Sequence, residues 1–157
     1  MSDVQYGARV AQRRKALRMT QTEAAARCGI ARPNFAAIEN GTRSAGPKTR
    51  TKIRAGLSAK PSTLLEKNRD YVLAEANKLG ITNVRIFGSV ARGEDTTFSD
   101  IDLLVVLPDR NKIRALTQFQ ESVSSRLCVK VDVLSDHNIP HLTSDALKAA
   151  KIEAVTI

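Results

Sequence analysis

Two aspartates, Asp100 and Asp102, stand one residue apart at the head of the apolar run "IDLLVVL". Residues two apart on a strand share a face, so the two carboxylates lie side by side while Ile101 turns to the core. Like charges that close repel and raise each other's pKa unless a cation sits between them. Mg2+ prefers carboxylate oxygens, completed by phosphate oxygens and water. A third carboxylate, Asp132, lies in "VKVDVL", an alternating segment that reads as a strand able to pair beside the first. Two strands carrying three carboxylates can hold two Mg2+ ions for in-line phosphoryl or nucleotidyl transfer.

A short loop earlier the chain carries Gly88-Ser89. "VRIFG" reads as a strand and "SVAR" as the start of a helix. Gly88 permits close backbone approach. Ser89 and the free N–H groups of a helix start can hold the outer phosphates of a nucleotide, and Arg92 can add charge toward them. Taken singly these signals are weak: Asp-x-Asp is common in loops and surface strands, and Gly-Ser is a common turn. All four residues at fixed spacing are another matter. At about 6% per position, a chance match in a chain of this length is roughly one in 500.

The elements needed to position these groups can be read around them. Residues 62–79 form a helical pattern closed by Gly80. "TNVRIFG" and residues 101–107 are strands, the latter ended by Pro108, and residues 112–127 form an amphipathic helix. "CVKVDVLS" is the third strand. A short helix is expected over residues 142–150, and the β-rich "EAVTI" is placed at a sheet edge. His137 and His141 are four apart, but Pro140 argues against a shared helical face, so both are read as surface or loop residues.

Charge divides the chain. The whole carries +9, yet residues 1–60 hold 13 Lys/Arg against 3 Asp/Glu (+10), and residues 61–157 hold 12 against 13 (−1). A basic first part and a near-neutral second part imply one nucleic-acid module and one module of another kind. The first part reads as short helices. Thr20 and Glu23 form a capping box before an alanine-rich helix that Gly29 ends. "ARPNFAAIENG" is the next helix, and a basic helix spans residues 47–57 after a loop. "SAKPS", residues 58–62, is the linker. Tyr6 and Tyr71 are read as packing residues, and Cys28 and Cys128 as a reduced, buried pair without metal-ligand spacing. No apolar run approaches the roughly 18–20 residues that span a bilayer, and residues 1–19 lack the apolar core of a signal peptide. The expected location is the cytoplasm, away from membranes.

"TQTEAAARCGIARPNFAAIENG" resembles the Cro/phage-repressor (Xre) helix-turn-helix family over about residues 4–57. The resemblance implies DNA binding on the matching positions. Gln21 would stand near phosphate at a helix start. Arg32, Pro33, Asn34 and Ala36 would open the recognition helix, Arg32 and Asn34 reading base edges. Ala37 would lie deeper along that helix, and Arg43 and Lys48, with Arg50, would reach phosphates. Ala31 stands where the family often has Ser, which removes a cap worth about 1 kcal/mol.

Gly-Ser, ten intervening residues (Val90 to Ser99) and Asp-x-Asp together resemble the polymerase-β-like nucleotidyltransferases, in particular their minimal (MNT) members, over about residues 62–157. The resemblance implies ATP and Mg2+, with Asp100 and Asp102 as metal ligands and Asp132 as third carboxylate and candidate base. Gly88, Ser89 and Arg92 would hold the nucleotide. Members of this size often act as antitoxins paired with a helical HEPN toxin, and some transfer AMP to a tyrosine of it. The expected fold class is α+β: an all-α helix-turn-helix bundle (1–60), then a small α/β nucleotidyltransferase domain with a mixed sheet (61–157). The expected function is that of an antitoxin which modifies its partner toxin and binds its own promoter DNA, as a homodimer or a larger hetero-oligomer with the toxin. Two alternatives stay open: a DNA-binding regulator whose second domain binds nucleotide or partner without catalysis, and a small-molecule nucleotidyltransferase.

Overall fold

The computed structural model describes residues 2–136 and 150–157. The chain divides into two compact units, Met1–Ala59 and Lys60–Ile157.

The first unit is four helices: α1 (Asp3–Ala16), α2 (Gln21–Cys28), α3 (Arg32–Glu39) and α4 (Pro47–Gly56). Their ends follow local chemistry. Ser2 and Gln5 form a capping box on α1, and Thr20 and Glu23 form the expected one on α2. Gly29 closes α2 in the left-handed conformation, at φ 61°. Ala31 makes no side-chain cap on α3, as its residue type dictates, and Pro stands in that helix's first turn. Leu17, Phe35, Ile38, Ile53 and Leu57 fill the core between the helices. Cys28 is buried with them; Cys128, in the second unit, is only half-buried, so the expectation of a buried pair holds for one thiol alone. The guanidinium of Arg50 lies over the Tyr6 ring, 4.3 Å from its centroid, which makes Tyr6 a packing residue.

The second unit opens with α5 (Pro61–Lys67) and α6 (Arg69–Lys78). The sequence pattern predicts one helix here; the structure breaks it at Asn68. That residue is fully buried. Its amide donates to the Leu64 carbonyl at 2.8 Å and its carbonyl accepts from Arg126 Nε at 3.1 Å. A side-chain amide that bonds the preceding turn competes with the helical ladder, which accounts for the break.

Strands β1 (Thr82–Phe87), β2 (Ile101–Val106), β3 (Val131–Ser135) and β4 (Val155–Thr156) form one mixed sheet in the order β3-β2-β1-β4. β1 is antiparallel to β2 and to β4, while β2 and β3 run parallel. Parallel neighbours need a long crossover, and α8 (Lys112–Leu127) lies in it. The four-residue α7 (Gly88–Ala91) directly follows β1. β4 takes the sheet edge expected for "EAVTI". Strand alternation sorts the sheet's two faces. Val84, Ile86, Ile101, Leu103, Val105, Val131 and Val133 share one face and are buried, and α6 and α8 pack against β1 and β3 respectively. The opposite face carries Arg85, Phe87, Asp102 and Asp132. The helix expected over residues 142–150, and His137 and His141, lie outside the described residues, apart from Ala150, which is helical.

Candidate active site

The carboxylates meet through register. Asp102 on β2 pairs with Asp132 on the parallel β3, and on its other side with Phe87 at the end of β1. Cross-strand partners share a face about 5 Å apart, so the two carboxylates are neighbours on the face of the sheet opposite Ile101 and Leu103. Asp100 precedes the first residue of β2 and completes the group. Ile101 between them is fully buried, as the alternation requires.

Lys130 stands among them. Its Nζ donates to Asp100 Oδ2 at 3.0 Å and to Asp132 Oδ2 at 2.5 Å. These two hydrogen bonds hold the ammonium's pKa above the usual lysine range. Asp102 receives no such bond among the described residues. Its burial, followed by repulsion from Asp132 and Asp100, pushes its carboxyl above the ordinary range; Lys130 and Arg92 pull the other way.

Gly88 belongs to this group by necessity. It has φ +71°, and a Cβ there would lie 2.4 Å from Asp102 Oδ2. The Gly of the Gly-Ser pair is therefore the residue that lets the Asp102 carboxylate sit against the β1–α7 turn. Ser89 follows, half-buried, in the first turn of α7. Arg92 caps the end of α7, with Nε 2.8 Å from Glu94 Oε2 and one terminal nitrogen 2.8 Å from Glu153 Oε2. The loop from α7 to β2 is pinned. Asp95, almost fully buried, accepts from Ser62 N at 2.9 Å, and Ser99 Oγ accepts from Thr96 N at 2.9 Å. That anchorage fixes where Asp100 emerges.

The donor set suits a hard divalent cation: three carboxylates, oxygen only, two of them already drawn to an ammonium and the third repelled by its neighbours. Among the described residues no three His, Cys, Asp or Glu side chains are gathered as a metal ion's ligands would be; Lys130 bridges Asp100 and Asp132 instead.

In the first unit, Arg32 and Pro33 are exposed at the start of α3, and Asn34 and Ala36 are half-buried behind them. Arg43 donates to Asn34 Oδ1 at 3.0 Å, joining two of the expected DNA-facing residues. Lys48 is exposed in the first turn of α4. Gln21 is the first residue of α2, and its amide donates to Glu39 Oε2 at 2.8 Å. Arg50 likewise spends its Nε on the Ala45 carbonyl, at 2.8 Å. Sequence reasoning passed over Lys130, although "KVD" already places its stem on the same strand face as Asp132. It also passed over Glu153, whose position against Arg92 rests on a contact 61 residues apart that no local pattern announces.

Residues 65–155 match the family described as Nucleotidyltransferase domain. The chain belongs to the nucleotidyltransferase domain family. Residues 10–58 match the family described as Helix-turn-helix. Two proteins of Methanocaldococcus jannaschii, each named a putative protein adenylyltransferase, are 34% identical to this chain where they align. One alignment runs over 62 residues (40% of this chain, 63% of that protein) and the other over 70 (45% and 75%). The chain thus spans just under two thirds of the first relative's length. A solved structure described as a putative minimal nucleotidyltransferase superposes with TM-score 0.53 at 30% identity, covering 61% of this chain and 95% of that one. Among the described residues no helix is long and apolar enough to cross a membrane.

Proposed function

We propose that this chain is an antitoxin-type nucleotidyltransferase that moves AMP from ATP to a hydroxyl, a tyrosine in first place, of a HEPN-type partner toxin. Its first domain (1–60) would bind the promoter DNA of its own operon and its second (61–157) would carry the transfer, in the cytoplasm, as a homodimer or a hetero-oligomer with the toxin. The observation that carries the reading is the packing of Gly88 against Asp102 beside Asp132: the two halves of the sequence motif form one site.

Roles follow from position. Asp100, Asp102 and Asp132 would ligate Mg2+, which when bound supplies charge neutralisation for the triphosphate and the leaving pyrophosphate. Gly88 keeps the turn open to the Asp102 carboxylate, and Ser89 offers its hydroxyl to phosphate oxygens. Asp132, closest to the open side of the sheet edge, would accept the proton of the attacking hydroxyl. Arg92 would exchange Glu94 and Glu153 for phosphate. In the first domain, Arg32 and Asn34 would read bases, with Arg43 holding the Asn34 amide, while Lys48 neutralises phosphate. The names of the two archaeal relatives support protein as the acceptor class.

The test is incubation of the full chain with α-labelled ATP, Mg2+ and the product of the adjacent gene. Label should pass to that protein, and Asp102→Ala should stop it; no transfer by the wild type overturns the reading. One observation favours a second reading, a DNA-binding regulator whose nucleotidyltransferase domain does not turn over: Lys130 and the two glutamates already engage the groups that catalysis needs. Tight Mg·ATP binding without transfer to any candidate acceptor would select it.

A further inference from the structure

Lys130 has no part in the roles just assigned, yet it makes the closest contacts in the site. Its Nζ reaches Asp100 Oδ2 at 3.0 Å and Asp132 Oδ2 at 2.5 Å, and its side chain is 62% exposed. Its ammonium bonds no backbone group among the described residues. Its position follows from the strand: two residues before Asp132, on the same face, and level with the start of β2 through the hydrogen bond from Ile101 N to the Lys130 carbonyl. Asp102 stays outside its reach, so the ammonium engages two of the three carboxylates.

We propose that Lys130 is a placeholder cation: it holds Asp100 and Asp132 in position in the metal-free protein, and a divalent ion binds only by displacing it. The inference rests on reading Asp100, Asp102 and Asp132 as metal ligands. Three carboxylates and one ammonium leave the cluster at −2; without the ammonium it stands at −3, with two carboxylates freed for an incoming ion. A free divalent cation therefore competes with a tethered charge of very high local concentration, and free metal is kept out of the site more than the carboxylate count alone would allow. On displacement the ammonium retains a flexible four-carbon stem and remains beside the site, available to an anionic ligand that arrives with the metal.

The experiment compares Mn2+ binding, by the loss of free Mn2+ EPR signal, to the full-length wild type, Lys130→Met, Lys130→Arg and Asp102→Asn, without nucleotide. Lys130→Met should bind Mn2+ about tenfold more tightly than wild type, and Lys130→Arg within about twofold of it. Equal or weaker binding by Lys130→Met overturns the placeholder. If wild type binds Mn2+ and Asp102→Asn does not, while Lys130→Met is unchanged, the placeholder alone falls and the metal-ligand reading stands. If no variant shows Mn2+ binding sensitive to Asp102, both fall. Melting supplies a second readout. In EDTA, Lys130→Met should melt below wild type, and saturating Mn2+ should raise its midpoint more than that of wild type. A purely structural lysine would lower both melts alike.

Discussion

Each unit gathers acidic and basic side chains into a network, and the two networks are opposite in kind. In the first, Glu39 is 3% exposed and fully engaged: Arg14 Nε lies 2.7 Å from Oε1, a second Arg14 nitrogen 3.2 Å from Oε2, and Gln21 Nε2 2.8 Å from Oε2. Arg14 also donates to the Met19 carbonyl at 2.8 Å, so one ion pair ties together α1, the α1–α2 turn, the start of α2 and the end of α3. In the second, three carboxylates crowd around one ammonium that bonds only two of them: Asp100 and Asp132 are more than 40% exposed, and Asp102 is half-buried and repelled. Satisfied buried charge spends its interactions on the fold. Crowded, half-open charge has interactions left over for a ligand.

The contrast breaks most severely at Asp102. Asp102→Asn should lower nucleotide transfer by about 10^3-fold, the scale of several kcal/mol of lost charge stabilisation at a metal site. It should not destabilise the metal-free fold. The folded-state pKa of Asp102 lies above its unfolded value, so between those two values the native state binds more protons and stability falls as pH rises. The substitution removes that loss. Melts in EDTA between pH 4 and 8 should show Asp102→Asn level with wild type at the acid end and at least as stable at the neutral end. A lower midpoint at pH 7 would mean that Asp102, like Glu39, serves the fold.

Glu39→Ala is the mirror experiment. Removing one partner of a buried ion pair strands Arg14 and should cost about 3 kcal/mol, read as a drop in the denaturant midpoint of the first unit. Promoter binding should fall with the folded fraction, and transfer by the second unit should persist. A cost under about 1 kcal/mol would place this network among ordinary surface pairs.

Gly88 joins both kinds of argument. At φ +71° a side chain costs about 1–2 kcal/mol, and its Cβ would press on the Asp102 carboxylate besides. Gly88→Ala should therefore destabilise by more than the backbone term alone, and the excess should vanish in the Asp102→Ala background. A double-mutant cycle measures that coupling; additive effects would show that the close approach is not what selects glycine.

How much of this was legible in the sequence depended on the range of the interaction. The α2 capping box, the Gly29 stop and the three longer strands come from neighbours in sequence, and the structure has them where the pattern put them. The side-by-side Asp100 and Asp102 follow from strand period alone. The pairing of Asp102 with Asp132 needed sheet register, which the sequence allows but does not specify: alternation made "VKVDVL" a strand able to pair beside the first and left open which residues face each other. The break at Asn68 was hidden because its cause includes Arg126, 58 residues away. The hydrogen bond from Gln21 to Glu39 was hidden for the same reason, since its partner comes from another helix, 18 residues away.

The smallest expected effects lie on the basic face of the first unit, where charges are neither buried like Arg14 nor crowded like Lys130. Lys48 is exposed at the start of α4 and makes no ion pair among the described residues. If it contacts phosphate as proposed, it would contribute equally on every sequence, through release of about one counterion. Lys48→Ala should lower affinity for operator and random DNA by the same factor and flatten the log–log salt slope by about 1. Arg32, exposed on the first turn of α3, is the foil. Arg32→Ala should cost about 1–3 kcal/mol on the operator and relax base preference at one position, with a smaller loss on random DNA. Titrations by fluorescence anisotropy at several salt concentrations separate the two. Equal effects of both substitutions on specific and random DNA would make the face a uniform electrostatic patch, and would remove α3 from the role of a reading helix.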